Sequence, residues 1–281
     1  MLKLIACILM LIDHVGYFFY DFLPPEISTL LRVIGRLAFP IFAYSVALGY
    51  RRTRSQFRYL RRMLVFALLT EGILRIAAAS TGFSFSPNVL ITFTTAILFL
   101  IGYELATRSF HDMIATMKLA RAAVGPSPAA ADFQVRISFG GTGLTPSVGF
   151  PVGVLLSLAA LTANLLISPD YGLYGLLSVW IFHQSAARIP TEEPDPAGLS
   201  ALKNRTWTGM LALNLAYLPY RVLIEQVPFE WSLLQCLSVM AIPLILARWP
   251  DRKPGLAMKY GFYLFYPVHI VLLMVIARLM Y

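Results

Sequence analysis

His14, His269 and Arg36 each stand inside a long apolar stretch, where a polar side chain is costly and is a functional candidate by default. A neutral imidazole can take a proton from an attacking group, and an arginine can donate to a developing negative charge. Arg32 and Arg36 lie four apart, so they share one helix face, which makes sense if both meet an anion or a carboxylate from elsewhere. Asp13 and His14 are consecutive and point about 100° apart on a helix. Asp13 is therefore expected to pair with an arginine such as Arg36 rather than to hold the His14 ring. Phe262, Tyr266, His269 and Leu273 form one helical stripe, so Tyr266 and His269 should face the same space. Simpler readings stand beside these. Glu71 and Arg75 suit an internal salt bridge, Arg32 could snorkel to headgroups with equal merit, and His111 has no expected role. Glu104 and His183 are expected near one surface of the membrane. No HxxxH, HExxH or other ligand spacing suggests a metal, and Cys7 and Cys236 suggest neither a disulfide nor a metal site.

The elements that carry these residues follow from composition. Hydrophobic residues make up 58% of the chain and charged residues 13%, far from the balance of a soluble domain. Several apolar runs reach the roughly 20 residues needed to cross a bilayer, and a bilayer enforces helices. The expected fold is an all-α, polytopic transmembrane bundle with one domain over 1–281. Nine spans are predicted, near 3–20, 28–50, 60–79, 88–106, 149–167, 171–187, 206–224, 231–248 and 260–280. Asp13 and His14, with no small-x-small site before Pro24, argue against a cleaved signal peptide. Arg51, Arg52, Arg54, Arg58, Arg61 and Arg62 crowd one connection, while the alternate connections carry Asp21, Glu26, Asp170, Glu225 and Glu230. The positive-inside rule then sets the amino terminus in the cytoplasm of a multi-pass inner-membrane protein. It explains the net charge of +9 without a nucleic-acid partner. Counting along the spans at 1.5 Å per residue sets His14, Arg36 and His269 at ~15–21 Å depth, in one layer. Residues 107–148 read as a cytoplasmic loop insertion, with an amphipathic helix over 113–124.

Five runs extend the pattern. Leu11-Ile12-Asp13-His14-Val15-Gly16 closes the first span, and Leu31 to Ala43, including Arg32, Gly35, Arg36 and Pro40, fills the second. Asn88 to Phe93 opens the fourth, Asp170 to Gly175 the sixth, and Lys259 to His269 the last. Together these resemble the TraX family of membrane acetyltransferases, whose name comes from the enzyme that acetylates the amino terminus of conjugative pilin. The run 107–148 carries none of the likeness.

The resemblance implies transfer of an acetyl group from cytoplasmic acetyl-CoA to an acceptor at or across the membrane: pilin, a glycan or a lipid headgroup. It implies His14 as the histidine that supports transfer, with Asp13, Arg36 and His269 beside it. Arg32, Tyr266, Asn88 and Asp170 would meet the acceptor, and Arg51, Arg52, Arg58, Arg62 and Lys259 would bind the CoA phosphates. The principal rival is a transporter or flippase using the same buried charges, marked by inverted repeats or paired broken helices, neither of which is evident in the sequence. Pro40 and Pro267 are candidate breaks. A purely structural scaffold is the third reading.

Overall fold

A computed structural model describes residues 2–122, 144–186, 196–247 and 256–280. These residues are helical almost throughout. The helices are α1 (Leu2–Phe18), α2 (Pro25–Gly35), α3 (Ala38–Arg52), α4 (Gln56–Thr81), α5 (Val89–Ala122), α6 (Pro146–Ile167), α7 (Gly172–Ala186), α8 (Pro196–Leu223), α9 (Phe229–Cys236), α10 (Ile242–Leu246) and α11 (Leu256–Met280). A 3₁₀ turn, Leu237–Ala241, joins α9 to α10. Every predicted span is helical over most of its length. Among the described residues, six helices or broken helix pairs are long and apolar enough to cross a bilayer: α2–α3, α4, α5, α6, α9–α10 and α11. With 17 residues α1 is short for a perpendicular crossing, and with 15 so is α7.

Local chemistry explains the boundaries. The Ser55 hydroxyl accepts from the Arg58 backbone N–H at 3.3 Å and starts α4, and Gly82, at φ 80°, ends it. The α2–α3 break falls at Arg36 and Leu37, four and three residues before Pro40, whose ring removes an amide donor and crowds the carbonyl behind it. Pro243 follows the 3₁₀ turn in the same way. Pro267, expected to mark an interruption, instead sits inside an unbroken α11. The predicted loop at 107–148 also needs correction. With 34 residues, α5 continues to Ala122, so 113–122 are its end rather than a separate surface helix. Positions 123–143, where the rest of that loop falls, lie outside the described residues.

Buried α5 residues Ile97, Leu100, Ile101 and Leu105 make this helix the centre of the bundle. The outer faces remain apolar: Leu68, Ile76, Leu166, Leu215 and Leu279 are each more than half exposed, as a lipid-facing surface requires. Small residues set the closest approaches. A Cβ at Gly102 would lie 2.6 Å from the Gly153 carbonyl, which fixes α5 against α6. A Cβ at Gly35 would lie 2.1 Å from the Asp13 Cβ, and one at Gly16 would lie 2.8 Å from the Leu31 Cβ. Only glycine lets α1 and α2 touch over this stretch. Gly35→Val is therefore expected to push the helices apart and destabilise the detergent-solubilised protein by about 1–3 kcal/mol. Thermal unfolding measures this, and an unchanged midpoint would show that the contact does not constrain the bundle.

Candidate active site

The α1–α2 contact delivers Asp13 to Arg32. An Arg32 Nη1–H donates to Asp13 Oδ2 at 2.6 Å, and the two side chains are only 16% and 11% exposed. The Arg32 guanidinium also lies 5.2 Å from the Tyr17 ring centre. The expected pairing of Asp13 with Arg36 is thus corrected, and Arg32 does not simply snorkel. One helical turn further on, Arg36 falls in the α2–α3 break and points its Nη1 at Gln235 Oε1, 3.3 Å away. Arg36 contributes to the field at Asp13 without bonding it directly.

Each histidine is oriented by its neighbours. His269 Nδ1 lies 2.6 Å from the Phe265 carbonyl one turn back on α11. A carbonyl only accepts, so Nδ1 carries the proton and, in the neutral ring, Nε2 keeps its lone pair. His14 Nδ1 lies 2.9 Å from that Nε2. It must donate, leaving His14 Nε2 as the unprotonated nitrogen when both rings are neutral. The ring of Phe265 stacks on His269 at 4.6 Å. His269 therefore sets the His14 tautomer, as a partner to the ring must when one nitrogen is to act as base.

Cavities reach this pair from both ends of the bundle. One of about 220 Å³ is lined by Lys3, Gly49, Tyr59, Arg62 and Tyr263, where the α3–α4 connection and the start of α1 meet. Through Phe42, Leu90, Phe93 and Phe262 it adjoins a smaller apolar cavity of about 80 Å³ that reaches Asp13 and His14. A polar vestibule of about 620 Å³ approaches from the opposite end, lined by Arg32, Arg36, Ser84, Ser86 and Asp170. Asp13, His14, Asp170, Tyr171 and Tyr266 line both the small cavity and the vestibule. His14 thus stands where an apolar passage meets a polar one, with His269 bonded behind it.

The other candidates divide. Tyr266 lines both cavities, and so does Asp170, from the turn between α6 and α7. Burial pushes the Asp170 carboxyl up to about 6 against the pull of Arg36. Asn88 touches the vestibule, but its groups are committed. Its Nδ2 donates to Glu71 Oε2 at 2.8 Å and to the Ala67 carbonyl at 3.0 Å, while Oδ1 accepts from the Leu90 N–H. It is a cap on α5 rather than a free contact. Glu71 keeps its expected bridge to Arg75 at 2.6 Å and ties Asn88 down as well. Of the proposed phosphate binders, Arg62 lines the 220 Å³ cavity, whereas Arg51, Arg52 and Arg58 do not. The Lys259 side chain lies outside the described residues. Glu104 and His183 pair at 3.1 Å with Tyr50 and Arg108 beside Glu104, and His183 is buried, so neither reaches out to a surface alone.

Sequence reasoning passed over Gln235, Tyr171, Phe39 and Lys3. Gln235 sits in an apolar span and is 3% exposed, so a search for buried amides, not only charges, would have found it. Tyr171 follows Asp170 and stacks on Phe39 at 3.8 Å, and nothing in the spacing points to that contact.

Fold and site define a polytopic helical membrane protein with a buried histidine–arginine centre between two passages. The chain is similar to the TraX family over residues 1–136, which match the model described as TraX protein and carry His14, Arg32 and Arg36. No curated protein and no solved structure matches it.

Removing one member of the Asp13–Arg32 pair leaves a buried charge alone, at a cost of about 3–5 kcal/mol. Asp13→Leu and Arg32→Met should each lower the unfolding midpoint strongly, while the double variant recovers much of the loss. A double variant as unstable as the sum of the singles would show that the two charges are not coupled.

Proposed function

We propose that this protein is an integral membrane acetyltransferase that moves an acetyl group from cytoplasmic acetyl-CoA to an amine or hydroxyl acceptor entering from the far side. The observation that carries the reading is His14, with its Nε2 left unprotonated, at the meeting of the two passages. The TraX match over residues 1–136 supports it, since a pilin acetylase gives that family its name. In this reading the chain crosses the inner membrane nine times with its amino terminus in the cytoplasm, and short α1 and α7 cross as helices supported by their neighbours.

The Lys3 and Arg62 side would receive CoA. Both cations line the cavity at that end and suit phosphate groups, with the remaining arginines of 51–62 near its rim. The narrow apolar cavity suits the pantetheine arm. The acceptor hydroxyl or amine attacks the thioester carbonyl as His14 Nε2 removes its proton. The tetrahedral intermediate collapses with breakage of the carbon–sulfur bond, and the imidazolium returns the proton to the departing thiolate, giving free CoA and the acetylated acceptor. Arg36 and Tyr266 are the donors available to the oxyanion. His269 acts through His14, by fixing its tautomer.

The test is acetyl-CoA binding and slow thioester hydrolysis by purified protein. Wild type should bind saturably and release CoA. His14→Ala should lose about 10²–10⁴-fold in turnover at unchanged acetyl-CoA affinity. His269→Ala should fall between the two and His269→Phe should not recover. Full turnover in His14→Ala would remove the general-base role.

A second reading has one observation in its favour. The breaks at α2–α3 and α9–α10 meet where Arg36 bonds Gln235, and facing broken helices are a feature of transporters. No acetyl-CoA binding at millimolar concentration would move the assignment to a transporter or flippase.

A further inference from the structure

Beyond the vestibule lies another cavity, of about 300 Å³, that shares Arg36, Ser86, Asp170 and Tyr171 with it. Its floor comes from the α6–α7 turn, and its wall from the end of α8 and from Gln235 of α9. Apart from Arg36, nothing in the transfer chemistry uses it, yet its chemistry is specific. Two arginines, Arg36 and Arg221, are balanced by two carboxylates, Asp170 and Glu225. A peptide amino terminus would want surplus carboxylate, and an anionic headgroup surplus arginine. This lining favours neither.

What it offers instead is hydrogen bonding and aromatic surface. Asn164 Oδ1, an acceptor, is buried without a partner, and the buried donors Arg36 Nε and Gln235 Nε2 make no well-formed bond although Tyr171 and Tyr174 lie beside those two side chains. Such groups ordinarily find one, so a ligand with both donors and acceptors suits them. Four tyrosines complete the lining: Tyr171, Tyr174, Tyr217 and Tyr220. Tyr217 and Tyr220 stack at 5.6 Å and are only half-buried, so they form a broad aromatic surface at the end of α8. Tyr174 packs on Tyr217 at 4.9 Å, and its hydroxyl is held by Ser238 at 2.7 Å.

A neutral molecule dense in hydroxyls and with apolar C–H faces answers all three features. We propose that this cavity is an acceptor subsite for a saccharide, which presents one sugar unit to the vestibule and His14. The assignment rests on the acetyltransferase reading for its role, but not for the binding itself. The sugar would be a free oligosaccharide or the headgroup of a glycolipid.

The test uses purified full-length protein in a sugar-free detergent. Saturation-transfer NMR is recorded with maltose, lactose and chitobiose, and with a synthetic octapeptide bearing a free amino terminus. At least one disaccharide should receive saturation, and Tyr220→Ala should weaken it about tenfold. Tyr220→Phe should restore binding, because the ring is what stacks; this separates recognition from misfolding. Saturation of the peptide alone, or of no sugar at 20 mM, would overturn the subsite. Acetyl-CoA consumption measured with the same sugars separates the two ideas. Sugar binding with no acetyl-CoA turnover on either the sugars or a glycolipid carrying that headgroup would sink the transferase reading and leave the subsite, whereas turnover without sugar binding does the reverse. Transfer to the disaccharide itself would identify a soluble acceptor. Transfer only to a glycolipid carrying that headgroup, in vesicles, would identify a membrane one.

Discussion

The architecture turns on one buried ion pair. Asp13 and Arg32 meet at 2.6 Å in surroundings that penalise either charge alone. They can meet only because Gly16 and Gly35 let α1 and α2 come into backbone contact. That contact fixes the rotation of α1, and with it the direction of His14, the next residue along. It also fixes α2, whose end turns the Arg36 side chain toward Gln235. A single close helix crossing therefore orients both the imidazole and the guanidinium of the candidate site.

Around that crossing the bundle assigns its polar groups to two kinds of work. Glu71 and Asn88 are spent on structure, locking the start of α5 to α4 through bonds of 2.8 Å. His14, Tyr266 and Asp170 line open space instead. The helix breaks matter too. The interruptions near Pro40 and Pro243 keep right-handed dihedrals but tighten into 3₁₀-type turns, which re-aims the side chains that follow. That change of direction brings Arg36 and Gln235 within reach of each other.

The histidine pair illustrates how a site can be partly legible. Depth along the spans correctly grouped His14, His269 and Arg36, because rise per residue is fixed by helix geometry. Depth carries no rotation. It could not distinguish Arg32 from Arg36 as the partner of Asp13, since both sit on one face and only the glycine contact selects the nearer. Nor could it separate Asn88, whose groups are committed to capping a helix, from vestibule residues left open to a ligand. Gln235 and Tyr171 were invisible for a different reason: one is uncharged, and the other acquires meaning only from a stack on Phe39 of another helix.

The sequence alone determined the class of protein, the helical stretches and the set of polar residues that hydrocarbon would not otherwise permit. Those properties depend on local hydrophobicity, on proline and glycine, and on the cost of charge in lipid, all of which are read residue by residue. Only the tertiary structure decided which of those residues face one another. It set His269 against His14 across 255 positions of chain, opened an apolar passage to one side and a polar one to the other, and joined two broken helices through Arg36 and Gln235. Those outcomes depend on helix rotation and close approach, which the side chains of distant elements fix jointly and no single segment encodes.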